Sequence, residues 1–315
     1  MKIVSMDQDI FSSPYEDSLE CLDDLKSIGA EIVAYSDQPI PDEEELFERI
    51  KDAEVVFWGV YKIPNSLIDR LTKLKLAVFY GVGSGTFIDE PYCEKKGIKV
   101  LNTPGYGNNT VAEYTIGLAF ALTRRICEAN QRMRNGDWRT QGIEGVEVAG
   151  LTYGVVGTGA IGKLVAQKAS LLGANVVACD INESDELKDK YNVSYLSLEE
   201  LMASSDIVSL HLNATKSTEN LISRKLILSM KKGSYFINTA RSLVVESYEP
   251  IYERLIAGTL AGAAIDVFDE EPISSFEPCK ITNLITSPHI GYLTLTAINN
   301  TLKIAVARTL EFFSE

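Results

Sequence analysis

The chain has 315 residues, 45% hydrophobic and 23% charged, which is enough apolar content for two domains with separate cores and excludes a disordered chain. Thirty basic against forty-four acidic residues leave a net charge of −14, which argues against a nucleic-acid or anionic-membrane surface as partner. The five cysteines (Cys21, Cys93, Cys127, Cys179, Cys279) show neither paired nor metal-type spacing, so reduced thiols in a cytoplasmic protein are expected, with no disulfide framework and no metal site.

The N-terminal run Met1 to Asp7 lacks the apolar core of a signal peptide and reads as a first strand, and no stretch is apolar for long enough to span a bilayer. Up to residue 101, short apolar runs alternate with amphipathic stretches. Ile3–Ser5, Ile32–Tyr35, Val55–Gly59, Leu76–Tyr80 and Ile98–Leu101 are strand-like, and Asp17–Ile28 and Asp42–Ile50 are helix candidates. Such alternation predicts a parallel sheet covered by helices. Val111–Arg125 reads as a long, nearly all-apolar helix, buried in a core or against another subunit, entered through the glycine- and asparagine-rich stretch Thr103 to Thr110. Arg132–Glu147 is polar and turn-rich and reads as an excursion. From Leu151 the alternation resumes, with strands at Tyr153–Val156, Val176–Cys179, Ile207–Leu210, Tyr235–Asn238, Ala263–Ile265 and Leu284–Thr286. Six strands fit a doubly wound dinucleotide fold. Thr294–Phe313 is helical by period and long enough to return to the first domain.

The stretch Val155-Val156-Gly157-Thr158-Gly159-Ala160-Ile161-Gly162 joins the first of these strands to a helix. Gly157 permits a tight turn, Gly159 lets backbone approach a pyrophosphate, and Gly162 lets the helix pack close to the strand, so phosphate would meet the free N–H groups of Ala160 and its neighbours. The next strand ends in Asp180, eighteen residues after Gly162, where the fingerprint wants an acid for the ribose hydroxyls. A carboxylate there repels a 2′-phosphate and Ile181-Asn182-Glu183 offers no arginine to attract one, so NAD is expected in preference to NADP.

Ligands of an open parallel sheet bind beyond the carboxyl ends of its strands. Arg241, Asp266 and His289 each follow a strand there, and Glu271 lies five residues beyond Asp266. Facing a nicotinamide, an arginine, a carboxylate and a histidine suit hydride transfer at a carbinol carbon. A base exchanges the hydroxyl proton, a cation holds a carboxylate or polarises a carbonyl, and a partner orients the base. The chain has only two histidines, so an imidazole base is one of them; His211 ends an apolar strand and reads as structural or cofactor-side rather than as the base.

These residues resemble those of the D-isomer-specific 2-hydroxyacid dehydrogenases, which include D-lactate, glycerate/hydroxypyruvate and phosphoglycerate dehydrogenases. The likeness runs through Gly81-Val82-Gly83, Asn102-Thr103-Pro104-Gly105, Val111-Ala112-Glu113, the glycine turn with Asp180, Asn238-Thr239-Ala240-Arg241, Ala261 to Phe268, Glu271-Pro272 and Ser287-Pro288-His289-Ile290-Gly291. The resemblance implies a Rossmann NAD-binding domain (102–289) inserted into a smaller flavodoxin-like substrate domain (1–101 with 290–315), and a homodimer built on the NAD-binding domain. It makes His289 the general acid/base on a small 2-keto or D-2-hydroxy acid, Glu271 its partner and Arg241 the holder of the substrate's carboxylate and carbonyl. Cofactor contacts are expected from Gly157 through Gly162 (Thr158, Gly159, Ala160 and Ile161 between them), Asp180, Thr110, His211, Thr239, Ala240 and Asp266, the last meeting the nicotinamide carboxamide. Substrate contacts are expected from Val82, Gly83, Ser84, Arg241 and Tyr292. Ser242, Leu212 to Thr215, Ser84 to Phe87 (with Thr86) and Tyr292 depart from the family's usual pattern, which points to an unusual substrate. The rival expectation is a non-catalytic NAD-sensing protein like the corepressors that resemble this family.

Overall fold

The computed structural model describes residues 1–6, 16–35, 41–59 and 61–314, with backbone alone at 16–19 and 86. Asp7, which closes the expected first strand, lies outside the described residues. The chain divides into two compact units, Met1–Gly107 with Leu293–Glu315, and Asn108–Tyr292.

The first unit holds β1 (Lys2–Ser5), β2 (Glu31–Ala34), β3 (Val55–Trp58), β4 (Leu76–Phe79) and β5 (Lys99–Asn102). They pair in the order β2-β1-β3-β4-β5, every pair parallel, which is the flavodoxin-like winding. Parallel strands need crossover helices, so both faces of the sheet are covered and a central strand such as Val55-Val56-Phe57-Trp58 is apolar throughout. Val56, Trp58, Ala77 and Phe79 face Leu46, Ile50 and Leu67 on one side. On the other, Val55, Phe57, Leu76 and Val78 pack with Leu25 and with Leu302, Ala305 and Val306 of the final helix, Leu295–Ser314. That helix therefore belongs to the first sheet's core.

The second unit has β6 (Thr152–Val156), β7 (Asn175–Cys179), β8 (Ser194–Tyr195), β9 (Ile207–Leu210), β10 (Tyr235–Asn238), β11 (Gly262–Ile265) and β12 (Leu284–Thr286). The order is β12-β11-β10-β9-β6-β7-β8, again all parallel. Seven strands replace the expected six, because the two-residue β8 is too short to show a period and exists by pairing with Val177 and Ala178. Chain order reverses between β6 and β9, and this switch point puts the glycine turn at the centre of the sheet's carboxyl edge. The helix Asn108–Thr123 buries Ala112, Thr115, Leu118, Ala119 and Leu122, the spacing of one helical face, against Tyr153, Val165, Ala169 and Ala264. The helix Ile126–Arg134, none of whose residues is buried, runs into the start of the polar stretch Arg132–Glu147. Among the described residues, no helix is long and apolar enough to cross a membrane.

Candidate active site

The turn after β6 is built by its glycines. Gly157 has φ 91°, and a Cβ there would lie 2.9 Å from the His211 carbonyl oxygen. At Gly162 a Cβ would come within 1.8 Å of the Gly157 oxygen, a backbone atom that cannot swing aside, so the helix Ala160–Leu171 seats against the turn only with glycine. Gly159 is the opposite case. Nothing lies within 4 Å of its would-be Cβ, so the backbone there is open at the N-terminus of a twelve-residue helix. Free first-turn N–H groups and an unobstructed backbone fit a pyrophosphate. Asp180, just after β7, accepts from the Thr158 N–H (2.6 Å) and the Asn182 N–H (2.9 Å), so the acid also braces the turn. The Tyr195 hydroxyl donates to Thr158 Oγ1 at 3.0 Å and accepts from the Ser184 N–H. His211, after β9, places Nε2 2.8 Å from Ser209 Oγ. Burial pushes its imidazole down to about 3, so it is a neutral packing ring behind the turn.

At the end of β10, Asn238 is fully buried. Its Oδ1 accepts from the Ala240 N–H (2.9 Å), and its Nδ2 donates to the Arg241 carbonyl (3.0 Å) and to Tyr248 Oη (2.7 Å). The chain is thus clasped around Thr239 and Ala240. Thr239 is buried with Oγ1 2.8 Å from Thr115 Oγ1. Thr110 occupies the first turn of that same helix. Arg241 is exposed and extended in backbone, with one guanidinium N–H donated to the Ala240 carbonyl.

Beyond β11 and β12 the two loops lock together. Asp266, 1% exposed, accepts from Ser287 Oγ (2.5 Å) and the N–H groups of Ile290 (3.0 Å) and Gly291 (2.8 Å). Its carboxylate therefore holds the histidine loop. A side chain at Gly291 would meet Asp266 Oδ2 at 2.9 Å. His289 is left-handed (φ 53°), unusual for a residue with a Cβ, and is held so by its N–H donating to the Asp266 carbonyl at 2.9 Å. Its Nδ1 lies 2.7 Å from Glu271 Oε2, and Glu271 Oε1 accepts from the Phe268 N–H at 2.9 Å. Half-burial raises the Glu271 carboxyl, but the His289 hydrogen bond, the Phe268 N–H and the charges of His289 and Arg241 outweigh it and hold the group below its usual range. An ionised carboxylate only accepts, so Nδ1 carries the hydrogen of the pair and Nε2 is left to exchange a proton. The Tyr292 ring stands edge-on to the imidazole, centroids 5.9 Å apart at 84°. Ser242 opens a short 3₁₀ turn and leaves the Arg241 clasp intact.

Val82, Gly83 and Ser84 belong to the first unit. Val82 and Gly83 are exposed, with Gly83 at φ 99°, whereas Ser84 is fully buried and its hydroxyl donates to Glu90.

Residues 116–291, within the second unit, match the family described as D-isomer specific 2-hydroxyacid dehydrogenase, NAD binding domain. The chain belongs to this family. Among similar 2-hydroxyacid dehydrogenases, the glyoxylate reductase of Thermofilum pendens is 37% identical over 84% of this chain and 80% of that protein. The hydroxypyruvate reductase of Thermotoga maritima is 34% identical over 81% of this chain and 83% of that protein. The crystal structure of D-lactate dehydrogenase from Aquifex aeolicus, complexed with NAD and lactic acid, superposes with a TM-score of 0.81 at 31% identity, covering 100% of this chain and 96% of that one. The protein is thus an NAD-binding oxidoreductase of the 2-hydroxyacid dehydrogenase class.

Sequence reasoning missed three features of this dehydrogenase: the Asn238 clasp, the Tyr195 brace on Thr158, and the grip of Asp266 on the histidine loop. The Tyr195 brace and the Asp266 grip join residues whose spacing carries no local signal, whereas the Asn238 clasp reaches only two and three residues along the chain and could have been read as an asparagine turn at a strand end.

Proposed function

We propose that the protein reduces a small 2-keto acid with NADH to the D-2-hydroxy acid, or runs the reverse reaction, with NAD preferred over NADP. The observation that carries this reading is the His289–Glu271 pair at 2.7 Å, with Glu271 fixed from behind by the Phe268 N–H. NADH, when bound, supplies the hydride. His289 donates its Nε2 proton to the substrate's carbonyl oxygen as that oxygen takes up negative charge, and Glu271, accepting from Nδ1, keeps the ring in register. Arg241 pairs with the substrate's carboxylate and polarises its carbonyl. Gly157 through Gly162 seat the pyrophosphate, and Asp180 takes the ribose hydroxyls and repels a 2′-phosphate. Tyr292, standing on the imidazole ring, bounds the substrate side and sets which keto acid fits.

The test is NADH consumption with glyoxylate, hydroxypyruvate and pyruvate, by the wild type and by His289→Gln. Turnover of at least one acid is expected, with the variant slower by about 10²- to 10⁴-fold and its NADH affinity unchanged. Loss of NADH affinity in His289→Gln would move the histidine to the cofactor, and NADH binding without turnover of any 2-keto acid would favour an NAD-sensing protein.

A further inference from the structure

The loops that carry Arg241 and Glu271 leave different strands, β10 and β11, and meet at one buried hydroxyl. Tyr248 is 7% exposed. Its Oη accepts from Asn238 Nδ2 at 2.7 Å and donates to the Val267 carbonyl at 3.1 Å. On one side, the same Asn238 amide group donates to the Arg241 carbonyl at 3.0 Å, so the phenol is one bond removed from the arginine's own backbone. On the other, Val267 is 2% exposed and adjoins Phe268, whose N–H holds Glu271 Oε1. The ring is wedged in the core with Val244, Val245, Ile251 and Ile265, so its hydroxyl has little room to move.

We infer that Tyr248 is a positioning residue: its hydroxyl sets the arginine loop against the carboxylate loop, and through them the distance from Arg241 to the Glu271–His289 pair. It touches neither substrate nor cofactor. This rests on the proposed role of Arg241, and the experiment separates the two.

Tyr248→Phe keeps the ring and removes the bridge, leaving the Val267 carbonyl and one Asn238 proton without their partner. For the best-used of the three keto acids, KM is expected to rise about tenfold, the cost of one buried hydrogen bond, with kcat changed far less. Affinity for NADH, read by quenching of its fluorescence, should fall far less than KM rises, because Asn238 Oδ1 still holds Ala240 and the glycine turn lies outside this network. Asn238→Asp, which loses the donation to Arg241 from the other end, should give the same split if Tyr248→Phe folds poorly. In an Arg241→Gln background, Tyr248→Phe should cost nothing further, since the group it positions is gone. A wild-type KM in Tyr248→Phe, an equal fall in NADH affinity, or costs that add in the double variant would each overturn the inference while leaving the role of Arg241 standing. Full turnover by Arg241→Gln alone would overturn both.

Discussion

The glycine turn supports a prediction whose size follows from the coordinates. In Gly162→Ala the new carbon would start 1.8 Å from the Gly157 oxygen, and real Cβ atoms essentially never approach closer than 3.0 Å. The helix and the turn must therefore part by at least about 1.2 Å, and both contact atoms are anchored in backbone. Overpacking of this kind costs about 1–3 kcal/mol of stability. A displacement of that size also carries the Ala160 and Ile161 N–H groups out of range of a phosphate, and two charge-assisted hydrogen bonds together are worth about 3–6 kcal/mol. NADH affinity should fall by at least about 100-fold. Gly159→Ala is the matched control. Its φ of −65° suits alanine and its Cβ enters empty space, so the melting temperature should hold, while the methyl occupies the side on which the pyrophosphate would lie and weakens NADH. Thermal unfolding and NADH fluorescence titration on both variants decide the matter. A Gly162→Ala protein with wild-type stability and affinity would refute the packing reasoning; a Gly159→Ala protein that binds NADH normally would move the pyrophosphate away from this turn.

Two further outcomes are expected. Asp180→Ala should raise the use of NADPH relative to NADH by about tenfold, by removing a charge that opposes the 2′-phosphate; steady-state kinetics with both cofactors check this, and an unchanged ratio would confine Asp180 to bracing Thr158. His211 should make the protein acid-labile. Its folded pKa of about 3 lies below the ordinary 6.5, so the unfolded chain binds the proton first. Stability is complete above 6.5 and falls as pH drops from there towards 3, by up to about 1.4 kcal/mol per unit. Urea midpoints at neutral pH and two units lower should show this loss, and His211→Gln should reduce it; equal losses in both proteins would assign the acid sensitivity to other groups.

What the sequence determined by itself is what short-range signals encode. Apolar runs at strand spacing, three glycines at fixed offsets and an acid eighteen residues on sufficed for two parallel α/β sheets and the nucleotide turn, because a strand's burial and a turn's sterics depend on residues a few positions apart. The final helix was legible from its period as one that could return to the first domain, and Leu302, Ala305 and Val306 lie in that unit's core. Arg241, Glu271 and His289 were legible as polar residues following strands. Tertiary structure decided which groups those residues meet. Asp266 finds its partners 21 to 25 residues away, Thr239 finds Thr115 124 residues away, and β8 exists only where β7 offers an edge. The Ser84 hydroxyl goes to Glu90, because a buried hydroxyl takes the acceptor within reach. A hydrogen bond needs its donor and acceptor within about 3 Å, and for residues far apart in the chain only the packing of helices and loops on the sheets brings them that close.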